Sequence, residues 1–142
     1  MKFDSNNKQL MNELFQATKE AQKLAHVPYS KYHVGAVILT TDGKKILGAN
    51  IENSSYGLSM CAERTCMFRT HLLGYKKEDI ICLALVGDST ESYAFPCGAC
   101  RQVMSELLDL DCPIVIFNKK GEAIVETVKG LLPYTFTGEN LK

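Results

Sequence analysis

Three cysteines and one glutamate have the residue types and spacing of a metal site that does chemistry. Cys61 and Glu63 stand two positions apart, and Cys97 and Cys100 follow as a Cys-x-x-Cys pair. Three thiolates can occupy three corners of the tetrahedron that zinc prefers and leave the fourth corner for a water molecule. A carboxylate beside that water can act as its general base. The four residues therefore predict a zinc site with an open coordination position.

Two other interpretations of the cysteines stay open from the residues alone. A Cys-x-x-Cys pair is also typical of dithiol redox proteins, although Cys61 and Glu63 would then have no role. Alternatively, Cys66 joins the other three cysteines as the fourth ligand of a closed structural zinc site. Five residues along a helix rotate a side chain by roughly 140°, which predicts that Cys66 points away from Cys61 towards the core.

The remaining cysteines and the histidines carry less information. Cys82 lies within an apolar run and Cys112 precedes Pro113, so we interpret both as small buried hydrophobic side chains. The histidines lack the H-x-x-x-H spacing of zinc proteases, and we expect no metal-binding role for them. They are His26, His33 and His71.

The elements that must position these residues alternate between helices and strands. Apolar residues at helical spacing, including Leu10 and Leu24, predict a first helix that has its cap at Ser5 or Asn6 and ends near His26. The expected later strands are Val34 to Leu39, Lys45 to Glu52, Ile80 to Val86, Pro113 to Phe117 and Ala123 to Val128, and the expected later helices are Ala62 to Leu73, Gly98 to Leu108 and Val128 to Leu132. This order predicts a layered α/β sandwich around one mixed sheet.

The cysteines lie at the starts of two predicted helices. Cys61 stands at the start of the second helix, and Cys97 and Cys100 span the first turn of the third. Helix N-termini offer unpaired N–H groups and the positive end of the helix dipole, which stabilise thiolates. Residues i and i+2 do not share a helix face, so Cys61 and Glu63 can serve one zinc only if Cys61 precedes the regular helix.

Two polar residues of the second predicted strand are further candidates. Asn50 and Glu52 alternate on a strand that ends shortly before Cys61, so we expect their side chains to share a face near the metal. A solvated strand end is the alternative on spacing alone.

Length and composition limit the partners of such a site. The 142 residues, 46% of them hydrophobic, suffice for a buried core, and we expect one domain over residues 1–142. The 16 basic and 16 acidic residues give a formal net charge of +0, which favours a small neutral partner over nucleic acid. The N-terminus resembles no signal peptide and no apolar run approaches the ~18 residues of a membrane span. We expect a cytoplasmic protein with reduced cysteines and no membrane partner.

Six stretches of the sequence carry a family resemblance that covers nearly the whole chain. The motifs are Cys61-Ala62-Glu63-Arg64-Thr65, Pro96-Cys97-Gly98-Ala99-Cys100-Arg101-Gln102, Pro28-Tyr29-Ser30-Lys31-Tyr32, Val34-Gly35-Ala36, Asn50-Ile51-Glu52-Asn53 and Leu131-Leu132-Pro133 followed by Phe136. Together they resemble the cytidine deaminases, and among these the short homotetrameric branch. The resemblance implies a layered α/β/α sandwich with a single mixed five-stranded sheet.

The resemblance also implies an activity and a cofactor. Family members deaminate cytidine and 2′-deoxycytidine to uridine and 2′-deoxyuridine in pyrimidine salvage, with one Zn²⁺ per chain bound by the positions of Cys61, Cys97 and Cys100. Zinc lowers the pKa of its water from 15.7 to about 7. Glu63 matches the catalytic residue, which moves the water's proton to N3 of cytosine and then protonates the departing ammonia. Arg64 matches an arginine that hydrogen-bonds the thiolate ligands.

Five positions match residues that bind the substrate in the family. Those of Asn50 and Glu52 bind the ribose hydroxyls, and that of Tyr32 places an aromatic ring near the base. Ala62 also falls at a substrate-binding position. Phe136 matches a phenylalanine that reaches the base from a neighbouring subunit, which implies a homotetramer with shared sites.

Two other functions stay open. One is a related deaminase of a pyrimidine nucleotide or of a nucleoside antibiotic such as blasticidin S, although Glu52 would repel a nearby phosphate. The other is a zinc-stabilised interaction module without catalysis, in which Glu63 would have no use.

Overall fold

A computed structural model describes residues 1–142 as one sheet covered by helices on both faces. The helices are α1 (Lys8–Gln22), α2 (Ala62–Leu72), α3 (Gly98–Leu107) and α4 (Val128–Leu131). The strands are β1 (Gly35–Thr40), β2 (Lys45–Ala49), β3 (Ile80–Val86), β4 (Pro113–Phe117) and β5 (Ala123–Thr127). None of the helices has the length and apolar character that crossing a membrane requires.

The five strands form a mixed sheet in the order β2-β1-β3-β4-β5. Strands β3 and β4 are parallel, and all other neighbouring pairs are antiparallel. Helix α1 packs on one face and α2 packs on the other, beside α3 and α4. The predicted α/β/α sandwich with a single mixed five-stranded sheet is therefore confirmed.

Every residue of β1 is buried because both faces of this strand are covered. Ala36 and Ile38 belong to the apolar cluster under α2 and α3, whereas Val37 and Leu39 belong to the cluster under α1. Alternate residues of a strand face opposite sides of the sheet, which is how one short strand serves both clusters.

Helix α2 comes unusually close to β2 at Gly48. A Cβ atom on Gly48 would lie 2.5 Å from the main-chain nitrogen of Cys66, closer than real Cβ contacts come. The missing side chain lets the helix lie directly against the strand. The Thr65 hydroxyl also donates a hydrogen bond to the Ala49 carbonyl, at 2.8 Å. These contacts fix the start of α2 beside the end of β2.

The second strand is shorter than predicted. We expected it to run to Glu52, but it ends at Ala49, which pairs with Gly35, the first residue of β1. The chain continues beyond the sheet, where Ile51 makes isolated bridges to His26 and Met60. The predicted shared strand face of Asn50 and Glu52 is therefore wrong, since neither residue lies in a strand.

The first helix also differs from its prediction. Its cap is Asn7 rather than Ser5 or Asn6, and the Asn7 side chain accepts a hydrogen bond from the Leu10 main-chain N–H at 3.0 Å. The helix ends at Gln22, so Leu24 lies outside it and is 59% exposed. Six other predicted bounds, both ends of β1 and the last residues of β5, α2, α3 and α4, differ by one residue from those observed.

Candidate active site

The side chains of Cys61, Cys97 and Cys100 meet where α2 and α3 begin. Their Sγ atoms all lie within 4.8 Å of one another, and the Cys61 and Cys97 sulfur atoms are 3.8 Å apart. Sulfur atoms at the corners of a tetrahedron, about 2.3 Å from zinc, are about 3.8 Å apart. The spacing and the all-thiol donor set therefore fit one zinc ion.

Cys61 and Cys97 both precede the first residue of a helix. Cys61 has φ −73° and ψ 153°, and Cys97 has φ −68° and ψ 167°, which are extended conformations outside the helical region. The Cys97 sulfur accepts a hydrogen bond from the Cys100 main-chain N–H at 3.4 Å. The predicted positions of the cysteines at the helix starts are confirmed.

Arg101 holds the turn that presents Cys97. Its Nε atom donates to the Pro96 carbonyl and its Nη1 atom to the Leu131 carbonyl, both at 2.8 Å. One planar guanidinium thus joins the turn before α3 to the end of α4. This restraint fixes the main chain beside the sulfur atom.

Cys66 faces the protein core, as its position on the helix predicts. Its thiol is fully buried and lies 3.1 Å from the Ile46 carbonyl, which accepts a hydrogen bond from it. Burial raises the pKa of Cys66 to about 12, so the thiol stays protonated. Cys82 and Cys112 are also buried, as predicted, and burial raises the pKa of each to about 12. None of these three belongs to the cysteine cluster.

Arg64 lies beside the cysteine cluster. Its Nη2 atom donates a hydrogen bond to the Cys61 sulfur at 3.4 Å, while its buried Nε atom has no hydrogen-bond partner. Hydrogen bonds from Cys100, and then from Arg64, lower the pKa of Cys61 to about 5. The hydrogen bond to Cys61 in turn raises the pKa of Arg64. The site thus favours a thiolate at Cys61 and keeps a permanent positive charge next to it.

Glu63 is the second residue of α2 and is only 5% exposed. Burial raises the pKa of its carboxyl group to about 7, although its own main-chain N–H opposes this shift. Most buried carboxyl groups are paired with a cation or several donors, whereas burial is the largest influence on the pKa of Glu63. A carboxyl group in such an environment can both take up and release a proton near neutral pH.

Asn50 and Glu52 hold the main chain of the segment Tyr29–Val34. The Asn50 amide accepts a hydrogen bond from the Val34 N–H and donates one to the Tyr32 carbonyl, both at 2.9 Å. One oxygen of Glu52 accepts hydrogen bonds from the Tyr29 and Ser30 N–H groups, both at 3.1 Å. These contacts bring Asn50, Glu52 and Tyr32 together.

The bridge of Ile51 to Met60 joins this group to the cysteine cluster. The main chains of these two residues exchange hydrogen bonds of 2.9 and 2.8 Å. Met60 directly precedes Cys61. The expected proximity of residues 50–52 to the start of α2 is therefore achieved through a bridge rather than through a longer strand.

Ala62 and Phe136 have different surroundings. The Ala62 side chain is fully buried in the apolar cluster under α2, so only its main chain can face a ligand. Phe136 is 58% exposed, and its carbonyl accepts a hydrogen bond from Gln102 at 2.9 Å. Its aromatic ring is therefore available to a neighbouring molecule.

The sequence interpretation missed two residues next to this site, Gly87 and Asp88. They follow β3, and both contact the segment that carries Tyr32. A glycine and an aspartate directly after a fully apolar strand were the available signal, because polar residues at a strand end commonly serve a site.

Comparisons with known proteins identify the family. A sequence model described as the cytidine and deoxycytidylate deaminase zinc-binding region matches residues 6–116, which is most of the chain. The chain belongs to the cytidine and deoxycytidylate deaminase family. The predicted family and its zinc cofactor are thereby confirmed, since the matched region includes all three cysteines of the cluster.

Individual members of the deaminase family are similar over most of their length. A cytidine deaminase of Halalkalibacterium halodurans is 47% identical over 122 residues, which cover 86% of this chain and 90% of that protein. A cytidine deaminase of Sporosarcina psychrophila is 43% identical, with 92% and 94% covered. The crystal structure of a cytidine deaminase from Burkholderia pseudomallei has a TM-score of 0.84 and 43% identity, covering 88% of this chain and 98% of its own.

Proposed function

We propose that this deaminase converts cytidine and 2′-deoxycytidine to uridine and 2′-deoxyuridine, in pyrimidine salvage. The observation that carries the proposal is the cluster of Cys61, Cys97 and Cys100 with the buried carboxyl group of Glu63 at the same helix start. Relatives that share 43–47% of their residues with this chain are cytidine deaminases. A structural zinc site would not need a buried carboxyl group beside three ligands.

Cys61, Cys97 and Cys100 hold one zinc ion in this proposal. When bound, zinc supplies a water molecule whose pKa is lowered to about 7. Arg64 donates to the Cys61 sulfur and so offsets part of the negative charge of three thiolates. Reduced negative charge on the ligands keeps the site able to polarise the water.

Glu63 carries protons between the reacting groups. It takes a proton from the water as the oxygen bonds to C4 of the base, and it delivers that proton to N3. It then passes the second water proton to the exocyclic nitrogen, which leaves as ammonia when the C4–N bond breaks. One carboxyl group can serve both steps because it alternates between base and acid. Its burial excludes competing water from these transfers.

The nucleoside is bound by the group around the segment Tyr29–Val34. Asn50 and Glu52 bind the ribose hydroxyls. One Glu52 oxygen holds the main chain of this segment, and its other oxygen is left to accept a hydrogen bond from the sugar. The Tyr32 ring packs near the base, and the main chain of Ala62 faces it from the first turn of α2. Unpaired N–H groups in the first turn of a helix suit this contact.

Phe136 and the free cysteines bear on the assembly and the compartment of the enzyme. The exposed ring of Phe136 reaches the base in the site of a neighbouring subunit, so the active form is a homotetramer with shared sites. We place the enzyme in the cytoplasm, where its free cysteines stay reduced. The whole chain acts as one deaminase domain.

The proposal is tested by following ultraviolet absorbance of the purified zinc-loaded protein with cytidine, 2′-deoxycytidine, their 5′-phosphates and free cytosine. We expect deamination of both nucleosides and little activity on the 5′-phosphates, which Glu52 repels. Free cytosine is the matched control because it lacks the ribose that Asn50 and Glu52 bind. Activity on the 5′-phosphates alone would assign a nucleotide deaminase, and zinc binding without any deamination would assign an interaction module.

A further inference from the structure

The segment that carries Tyr32 contains a strained residue. Lys31, which directly precedes Tyr32, has φ 60°, in the left-handed region that residues with a Cβ atom rarely adopt. Such conformations are unfavourable and persist only where the surroundings hold them. The direction of the Tyr32 ring therefore depends on the contacts that hold this segment.

Two of the residues that hold it, Asn50 and Glu52, belong to the proposed nucleoside site. A third, Asp88, does not. One oxygen of Asp88 accepts a hydrogen bond from the main-chain N–H of His33 at 2.6 Å and lies 2.9 Å from the His33 ring Nδ1 atom. Asp88, which lies just beyond the end of β3, thus holds His33, the residue that follows Tyr32.

Asp88 is itself fixed by its neighbours. Its other oxygen lies 3.3 Å from the Lys119 ammonium group and 3.4 Å from the Gln22 amide nitrogen. Gln22 ends α1 and also donates to the His33 carbonyl at 3.0 Å. The carboxylate therefore connects the Tyr32 segment to α1 and to the turn after β4.

The Tyr32 ring lies against Gly87, the residue before Asp88. A Cβ atom on Gly87 would come within 2.9 Å of the Tyr32 Cζ atom and would also meet the Tyr32 hydroxyl oxygen. The end of β3 thus contacts this segment twice, at the Tyr32 ring through Gly87, which has no side chain, and at the neighbouring His33 through the carboxylate of Asp88. Two such contacts fix both the position and the direction of the ring.

We propose that Asp88 is a positioning residue, which orients the Tyr32 ring towards the base of the nucleoside by holding the main-chain N–H of His33. The proposal rests on the proposed contact between Tyr32 and the substrate. Asp88 touches no reacting atom, so its loss weakens nucleoside binding more than it slows the chemical step. Loss of binding that is equal in the ground state and the transition state raises KM and leaves kcat unchanged.

The test compares KM and kcat for cytidine in Asp88→Ala, Tyr32→Ala and the double variant. We expect Asp88→Ala to raise KM about 5- to 30-fold, with kcat nearly unchanged. In the Tyr32→Ala background the same substitution changes KM by less than about twofold, because its effect acts through Tyr32. Asp88→Asn restores most of the binding, since its amide oxygen can still accept from the His33 N–H.

Two controls separate positioning from general stability. Asp79→Ala removes a carboxylate that accepts the Lys76 N–H at 2.8 Å, at the opposite end of β3, and should leave KM unchanged. His33→Ala keeps the main-chain N–H and should also leave KM near the wild-type value. If Asp88→Ala does not fold, Asp88→Glu replaces it, because the longer side chain keeps the charge beside Lys119 and displaces the oxygen from His33.

Each outcome has one meaning. An unchanged KM in Asp88→Ala, or an effect that adds fully to that of Tyr32→Ala, overturns the positioning role. If Tyr32→Ala itself leaves KM unchanged, the proposed contact of Tyr32 with the base fails, and the role of Asp88 fails with it. A raised KM in Tyr32→Ala with an unchanged KM in Asp88→Ala leaves the proposed function intact.

Discussion

The Nη2 atom of Arg64, in the first turn of α2, lies 3.4 Å from the Sγ atom of Cys61, the residue that directly precedes this helix. The sulfur atom is one of three that fit a single zinc ion. Three thiolates leave a Zn²⁺ site with a net negative charge, which weakens its ability to activate water. The guanidinium group supplies a fixed positive charge at this point.

Replacing this arginine should therefore affect the rate more than the metal content. We expect Arg64→Ala to keep one zinc per chain and to lower kcat/KM for cytidine roughly 10- to 100-fold, the equivalent of losing a charge-assisted hydrogen bond. Arg69→Ala is the matched control, since Arg69 lies on the same helix and donates only to the Leu47 carbonyl. Metal analysis and steady-state kinetics measure both effects, and an unchanged rate in Arg64→Ala would remove this role.

The cysteine ligands can be separated from Cys66 by metal analysis. Cys66→Ser should keep the zinc stoichiometry, because the buried Cys66 thiol bonds to the Ile46 carbonyl and not to the cluster. Cys97→Ser should lose most of the zinc, since a hydroxyl group is a poor replacement for a thiolate ligand. Loss of zinc in Cys66→Ser would instead support a closed four-cysteine site.

The close contact of α2 with β2 predicts a large effect of one added methyl group. Gly48→Ala should lower the free energy of unfolding by about 1–3 kcal/mol, because its Cβ would overlap the main chain of Cys66. Gly57→Ala is the control, since no atom lies within 4 Å of its added Cβ. Urea unfolding of the two variants measures the difference, and equal stabilities would contradict the close contact.

The stability difference between the wild-type protein and a variant without the Asp88 carboxylate should depend on pH. Partial burial tends to raise its pKa, but hydrogen bonds from the His33 main chain and ring, and then from Lys119, lower it below the ordinary value. A lowered pKa in the folded state stabilises the protein above the unfolded pKa of about 3.9 and loses this effect as the pH falls through the folded value. Asp88→Asn should thus be less stable than wild type near pH 7, with the difference disappearing below about pH 3.9. Urea midpoints at several pH values measure this, and a difference that stays constant into acid would contradict it.

The sequence predicts those features of the fold that depend on local patterns. Apolar runs and the turn between β1 and β2 predict all five strands and the four helices. The spacing of Cys61 and Cys66 predicts that the Cys66 side chain points away from the cysteine cluster. The rotation along a helix is a local property of the chain, so it can be derived without knowing the neighbours.

Features set by distant partners could not be predicted in the same way. Strand β2 ends at Ala49 because its partner β1 begins at Gly35, and no pattern in residues 45–52 records where the partner begins. The bridge between Ile51 and Met60 likewise depends on the path of the chain around residues 53–59. The contact of Asp88 with His33 joins residues 55 positions apart, which only the packed sheet brings together.

The most direct test of the account is the rate of cytidine deamination by zinc-loaded Glu63→Gln. Glutamine keeps the shape of the side chain but cannot carry a proton, so we expect one zinc per chain, an unchanged fold and a kcat lowered by a factor of about 10² to 10⁴. Glu106→Gln changes an exposed carboxyl group on α3 and serves as the matched control with wild-type activity. A kcat near the wild-type value in Glu63→Gln with zinc bound would contradict the proposed role of Glu63.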